Sequence, residues 1–211
     1  MKFWKGCAKM FPGKDETIKI MNEAEELNPG PWINHSLFTA KAAMFISELH
    51  SELDPEKSFV LGYLHDIGRR EGVSSMRHTI DGYNFLKDLG YDEAAKICLT
   101  HSFPLKNVDA VFGRWDCSKE EYNKVKAFLN EVDYTIYDKL IQLCDALALP
   151  SGFCLLEKRM VDVLLRHGVN KFVVQKWKET FKIKKEIENK IGKSIYAVLP
   201  DVRNTTFEID L

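Results

Sequence analysis

Two aspartates and four histidines carry the chemical interest of this chain, because each falls on the apolar side of a helical pattern. Asp145 sits in LIQLCDALAL on a row with Ile141 and Ala148, and no lysine or arginine lies within a turn on that face. Asp66 poses the same problem within YLHDIG, next to His65 among Leu61, Leu64 and Ile67. An unpaired carboxylate in such surroundings costs several kcal/mol or gives up its charge. His35 shares a stripe with Phe38, Ala42 and Phe45, His78 with Gly82, Phe85 and Leu89, and His101 lies on the Ile97–Cys98 face. One buried histidine is ordinary. Four of them beside two buried carboxylates form a set of neutral nitrogen and anionic oxygen donors, which suits a divalent transition metal. The competing arrangement pairs Asp66 and Asp145 with arginines from elsewhere, such as Arg69, Arg77 or Arg159. The other two histidines, His50 and His167, sit near helix ends.

The elements that must position these groups read as helices throughout, since apolar spacing runs at three and four and not at two. Helices are expected over 15–27, stopped by NPGP, and over 35–49. A third begins at the Asp54-Pro55 cap pair and ends around Gly68. EGVSSMR reads as a loop, followed by helices over 78–89, closed by Gly90, and over 91–102. Ser118 and Glu121 match a capping box at the start of the next helix. Further helices are expected over 134–149, 153–167 and 170–191, and one short extended segment within 195–211. The run Lys176–Lys185, with Trp177, Phe181 and Lys184 on one face, reads as an amphipathic surface helix. The expectation is an all-α single domain over 1–211, with its core at 33–160 and a C-terminal helical extension and tail over 161–211.

Composition narrows the partners. Thirty basic and 31 acidic residues leave a net charge of -1, which gives no electrostatic reason to expect nucleic acid or an anionic membrane. The five cysteines form no C-x-x-C pair, which argues against a disulfide framework and for a cytoplasmic setting. The first residues lack an uninterrupted apolar run, so no signal peptide is expected, and no stretch approaches a membrane span.

At His65-Asp66-Ile67-Gly68 the pattern becomes specific. The chain resembles the HD superfamily of metal-dependent phosphohydrolases, whose signature is a histidine, an adjacent His-Asp pair and a distant aspartate. His35 in NHSLFTAKAA, the pair in LGYLHDIGR (the HDIG variant) and Asp145 in LCDALAL match in order, over about residues 33–160. His78 in RHTIDGYNFL and His101 in CLTHSF resemble the two further histidines of two-metal members. The chain departs from that layout in two ways. Only twelve positions separate Asp66 from His78, and Ser102 stands where a second consecutive histidine is often found. No GYP motif appears, which argues against a cyclic-dinucleotide phosphodiesterase.

The resemblance implies one metal held by His35, His65, Asp66 and Asp145, and a second by His78, His101 and a bridging Asp66 that orients hydroxide. It implies iron, manganese, cobalt or nickel, with magnesium also compatible, as one or two ions. The implied reaction is attack of metal-activated hydroxide on phosphorus in a small phosphorylated substrate, a nucleotide above others. Arg69, Arg70, Arg77 and Lys106 lie near the ligands in sequence and are candidates for holding phosphate oxygens. Phe103, Phe112 and Trp115 are either stacking surfaces for a base or packing residues. Two rival functions share the same ligands: a di-iron oxygenase acting on a small organophosphonate or polyol, and a non-catalytic nucleotide sensor pinned by its metal.

Overall fold

The computed structural model describes residues 10–209; Cys7 and the N-terminal segment read above as free of a signal peptide lie largely outside them. The chain folds as α1 (Lys14–Leu27), α2 (Pro31–Ser47) and α3 (Pro55–Leu64), a 3-10 turn at Ile67–Glu71, then α4 (Arg77–Asp88) and α5 (Asp92–Thr100). After a second 3-10 turn at Val108–Ala110 come α6 (Lys119–Glu131) and α7 (Ile136–Leu147). A two-residue hairpin follows, β1 (Ala148–Leu149) and β2 (Gly152–Phe153), antiparallel with Ala148 opposite Phe153. The chain closes with α8 (Leu156–His167), α9 (Val173–Ile191), α10 (Ile195–Val198) and α11 (Val202–Phe207). The fold is all-α, as the spacing predicts.

Local signals in the sequence account for several boundaries. The Asp54 side chain accepts from the Lys57 amide at 2.7 Å ahead of Pro55, and Ser118 and Glu121 close a complete capping box. Gly90 turns α4 off at φ +81°, a left-handed position that favours glycine.

The main core joins α2, α3, α5 and α7 through residues such as Ala40, Ile46, Leu61, Leu64, Ile97, Leu140 and Leu143. Residues of the C-terminal segment, among them Ile183, Ile187, Ile195 and Leu199, belong to the same cluster. A smaller cluster gathers Met76, Leu99, Phe103, Val125 and Leu129 beneath α6. Two close backbone approaches fix the centre. A Cβ on Gly62 would stand 2.8 Å from the Ala40 Cα, so glycine lets α3 lie tight on α2. A Cβ on Gly68 would stand 2.0 Å from the His78 carbonyl oxygen, so the turn after the His-Asp pair rests directly on α4. Gly82 serves that second contact, with Gly68 N 3.1 Å from where its own Cβ would be.

Three expectations need correction. Among the described residues the tail holds two short helices and no extended segment, because Ile195, Leu199 and Val202 recur at helical spacing and bury on the core. The helices expected over 134–149 and 153–167 are separated by the hairpin, so Phe153 is in a strand. In α9 the buried stripe is Val173, Thr180, Ile183 and Ile187, whereas Phe181 is exposed. Among the described residues no helix is long and apolar enough to cross a membrane, and four cysteines are free.

Candidate metal centre

The six residues singled out in the sequence come from five places in the fold, and the core packing brings them together. His35 lies on α2, His65 follows α3, Asp66 precedes the 3-10 turn, His78 opens α4, His101 follows α5 and Asp145 lies near the end of α7. His35 Nε2 is 2.9 Å from Asp145 Oδ1, and His65 Nε2 is 3.9 Å from the same oxygen. Asp66 spans two groups. Its Oδ2 is 3.9 Å from His65 Nε2, while Oδ1 is 3.1 Å from His78 Nε2 and 3.6 Å from His101 Nε2. The imidazole centroids of His65 and His101 are 4.9 Å apart, those of His35 and His65 5.4 Å.

The outer nitrogens explain how the rings are aimed. Nδ1 of His35 donates to the Ala148 carbonyl at 3.2 Å, that of His65 to Gly62 at 2.7 Å, that of His101 to Ile97 at 3.2 Å, and that of His78 to Ser75. A carbonyl only accepts, so Nδ1 carries the proton in every ring and a neutral imidazole keeps its lone pair on Nε2. Such bracing of the outer nitrogen is the usual support of a metal-ligating histidine. Four lone pairs therefore converge on two carboxylates, and acceptors facing acceptors repel unless a cation lies among them.

Protons on the Nε2 atoms are one solution, but burial opposes it at His65 and His101. Desolvation pushes His101 down to about 3 and lowers His65 below its ordinary value despite the neighbouring carboxylates. Nε2 of His65, Nε2 of His78 and Oδ1 of Asp66 are buried without a hydrogen-bond partner. A metal ion is the other solution. Two ligand atoms, each about 2.1 Å from one ion, stand roughly 3.0–3.5 Å apart at tetrahedral or octahedral angles, which overlaps the 2.9–3.9 Å separations here. Two overlapping groups have the reach to hold an ion, His35 with His65 and Asp145, and His65 with Asp66 and His101. The donor set and its orphaned atoms fit such ions.

The arginine pairing foreseen for Asp66 is also present. Arg69 Nε donates to Asp66 Oδ2 at 2.6 Å, so burial opposes the charge on Asp66 but this guanidinium holds its carboxyl well below the usual range. Asp145 has no such arginine; its Oδ1 faces His35 Nε2 at 2.9 Å and its side chain remains partly open to a cavity of about 550 Å³.

That cavity sorts the remaining candidates. Arg69 and Phe112 line it. Arg70, Arg77 and Lys106 are turned elsewhere by stronger local partners. The Arg70 guanidinium stacks on Phe85 at 4.0 Å, Arg77 reaches Asp81 and Glu121, and Lys106 donates to the Val132 carbonyl at 2.5 Å. Phe103 and Trp115 stack on each other in the smaller core cluster and are packing residues. Sequence reasoning missed Trp32, Arg166, Lys176 and Trp177 as site residues, and named Arg159 only as a partner for the aspartates; all of them line the cavity as well. For Lys176 the signal was present but misread: it lies one helical turn from Val173 and Thr180, on the buried side of α9.

Fold and site together define an all-helical protein whose core gathers histidines and carboxylates around places for a cation. A family model for the HD domain matches residues 32–149, 118 of 211, and the chain belongs to that family. No curated protein and no solved structure matches it.

Proposed function

We propose that this protein is a metal-dependent phosphohydrolase of a small phosphorylated substrate, with a nucleotide as the class that fits best. The observation that carries the reading is the convergence of four imidazole Nε2 atoms on Asp66 and Asp145, with the outer nitrogens all braced on carbonyls. His35, His65, Asp66 and Asp145 would hold one ion, and His78, His101 and Asp66 a second, of iron, manganese, cobalt or nickel. Bound there, such ions bring the pKa of water towards neutrality and neutralise charge on phosphoryl oxygens.

The chain's own groups supply the rest. Asp66 Oδ1, buried and without a hydrogen-bond partner, accepts from the attacking water and orients it. Arg69 lines the cavity with its Nε fixed on Asp66 and its Nη1 on the Ser74 carbonyl at 3.5 Å, which leaves Nη2 to meet a phosphoryl oxygen. Trp32, Phe112 and Trp177 offer apolar faces on which a base stacks. No covalent nucleophile is called for.

The test is elemental analysis of the purified protein combined with an anaerobic screen of nucleotides and sugar phosphates. Release of phosphate from a nucleotide by the metal-loaded protein, abolished by chelation, is the expected result. Full metal loading without turnover of any phosphoester sinks the proposal, and oxygen-dependent turnover of an organophosphonate or polyol replaces it with oxygenase chemistry.

A further inference from the structure

Helices α8 and α9 lie beyond the family match at 32–149, yet they wall the same cavity as the histidines and aspartates. They bring three cationic side chains to it: Arg159, Arg166 and Lys176. The two arginines share one carboxylate, with Arg159 Nη1 3.6 Å and Arg166 Nη2 3.1 Å from Asp162 Oδ2. Lys176 has no carboxylate within ion-pair distance among the described residues; its Nζ donates to the Ser102 carbonyl at 3.1 Å and lies 5.0 Å from the Phe112 ring centroid. Ser102 directly follows His101, so the ammonium stands beside the metal-facing floor.

A half-buried ammonium with one carbonyl partner has donors to spare and sits in the cavity at a desolvation cost that a counter-ion would offset. Core packing does not require it, since α9 is already anchored by Val173, Thr180, Ile183 and Ile187. On the α8–α9 wall three cations face one aspartate, and over the whole cavity Arg69, Arg159, Arg166 and Lys176 still outnumber Asp66, Asp145 and Asp162, so this wall suits an anion such as phosphate.

We propose that Lys176, with Arg159 and Arg166, forms a second phosphate subsite, so that the substrate carries a further phosphate beyond the one at the His–Asp centre. The inference rests on the phosphohydrolase reading for which phosphate reacts; the subsite itself requires only binding.

Calorimetric titration of the metal-loaded protein with inorganic phosphate and with imidodiphosphate, a non-hydrolysable diphosphate, tests it. The wild type is expected to bind imidodiphosphate at least tenfold more tightly than phosphate, about the effect of one charge-assisted contact. Lys176→Gln removes most of that preference while phosphate affinity and metal content stay at wild-type levels, and Lys176→Arg retains it. Arg159→Gln, on the other helix, lowers the preference independently and serves if Lys176→Gln does not fold. A wild type with no preference overturns the subsite, and so does a Lys176→Gln that leaves the preference intact or weakens both ligands equally. An intact preference in a protein that hydrolyses no phosphoester supports the subsite and sinks the hydrolase reading. Hydrolysis without the preference does the reverse.

Discussion

Asp66 and Asp138 lie in different regions of the same core, each with its carboxylate almost wholly removed from water. Around Asp138 both carboxylate oxygens have donors. Lys96 Nζ and the Thr135 amide and hydroxyl meet Oδ2 at 2.6, 2.7 and 2.8 Å, and the Thr100 hydroxyl meets Oδ1 at 2.7 Å. The residue closes a capping box and ties α7 to α5, and nothing is left over for a ligand. Around Asp66 one oxygen is held by Arg69, while the other faces imidazole nitrogens that have no hydrogen to give. The difference teaches that burial alone does not mark a functional acid. What marks it is burial with the hydrogen bonding incomplete, in a fold that satisfies an equally buried acid in full elsewhere.

Mutations at the two sites should therefore fail in different ways. The largest effect is expected for Asp66→Ala. Metal content falls towards zero and hydrolysis drops on the order of 10³-fold, as several kcal/mol of transition-state stabilisation are lost. Thermal unfolding of the metal-free protein changes less than in Asp138→Ala, because the loss of Arg69's partner is offset by removing an oxygen that faces imidazole lone pairs. Elemental analysis and calorimetry read both, and full metal content in this variant would dissolve the contrast with Asp138.

Next in size, Asp138→Ala leaves the Lys96 ammonium without its partner and unfolds more easily by about 3 kcal/mol, towards the lower end for a buried pair because Lys96 is partly exposed. Urea titration measures the loss, and metal stoichiometry is expected to stay at the wild-type value.

A third variant sharpens the comparison by touching the Asp66 region indirectly. Asp116 accepts from the Ser75 and Arg77 amides at 2.6 and 2.8 Å, and the Ser75 carbonyl braces His78 Nδ1. Asp116→Ala releases that loop and should weaken the second metal by roughly 10–100-fold while sparing the first. Stepwise metal titration separates the two, and equal weakening of both ions would argue for general damage to the fold.

The smallest effect is a pH dependence. His65 and His101, depressed below 6.5 by burial, are neutral above that value whether the chain is folded or not. Below it the unfolded chain takes up protons that the folded chain refuses, so the stability of metal-free protein falls as the pH drops. Each histidine contributes up to about 1.4 kcal/mol per pH unit. Urea midpoints of chelated protein measured downward from pH 7 give the slope, and a flat profile removes the argument that protons cannot take the cation's place.

Much of this was legible in the chain. Helical spacing predicts the all-α fold, because one face of each helix must bury against a neighbour whatever that neighbour is. The odd presence of Asp66 and Asp145 on such faces is equally a property of the sequence. Asp138 shows the limit of that reasoning. Its neighbours Lys96 and Thr100 are some forty positions away, so no local pattern announces that its charge is satisfied. Arg70, Arg77 and Lys106 show the same limit from the other side, for closeness in sequence to a ligand says nothing about which way a long side chain turns.

By itself, then, the sequence determined which residues are ligand types on apolar faces and how some helices begin, through caps such as Asp54 and Ser118. Only the tertiary structure decided which oxygen of Asp66 faces which imidazole, which carbonyl holds each Nδ1, and that Lys176 joins a cavity floored by His101. The reason is physical: periodicity fixes the side of a helix that is buried, whereas the pairing of buried donors and acceptors depends on close backbone approaches, such as Gly62 on Ala40 and Gly68 on His78, that join segments distant along the chain.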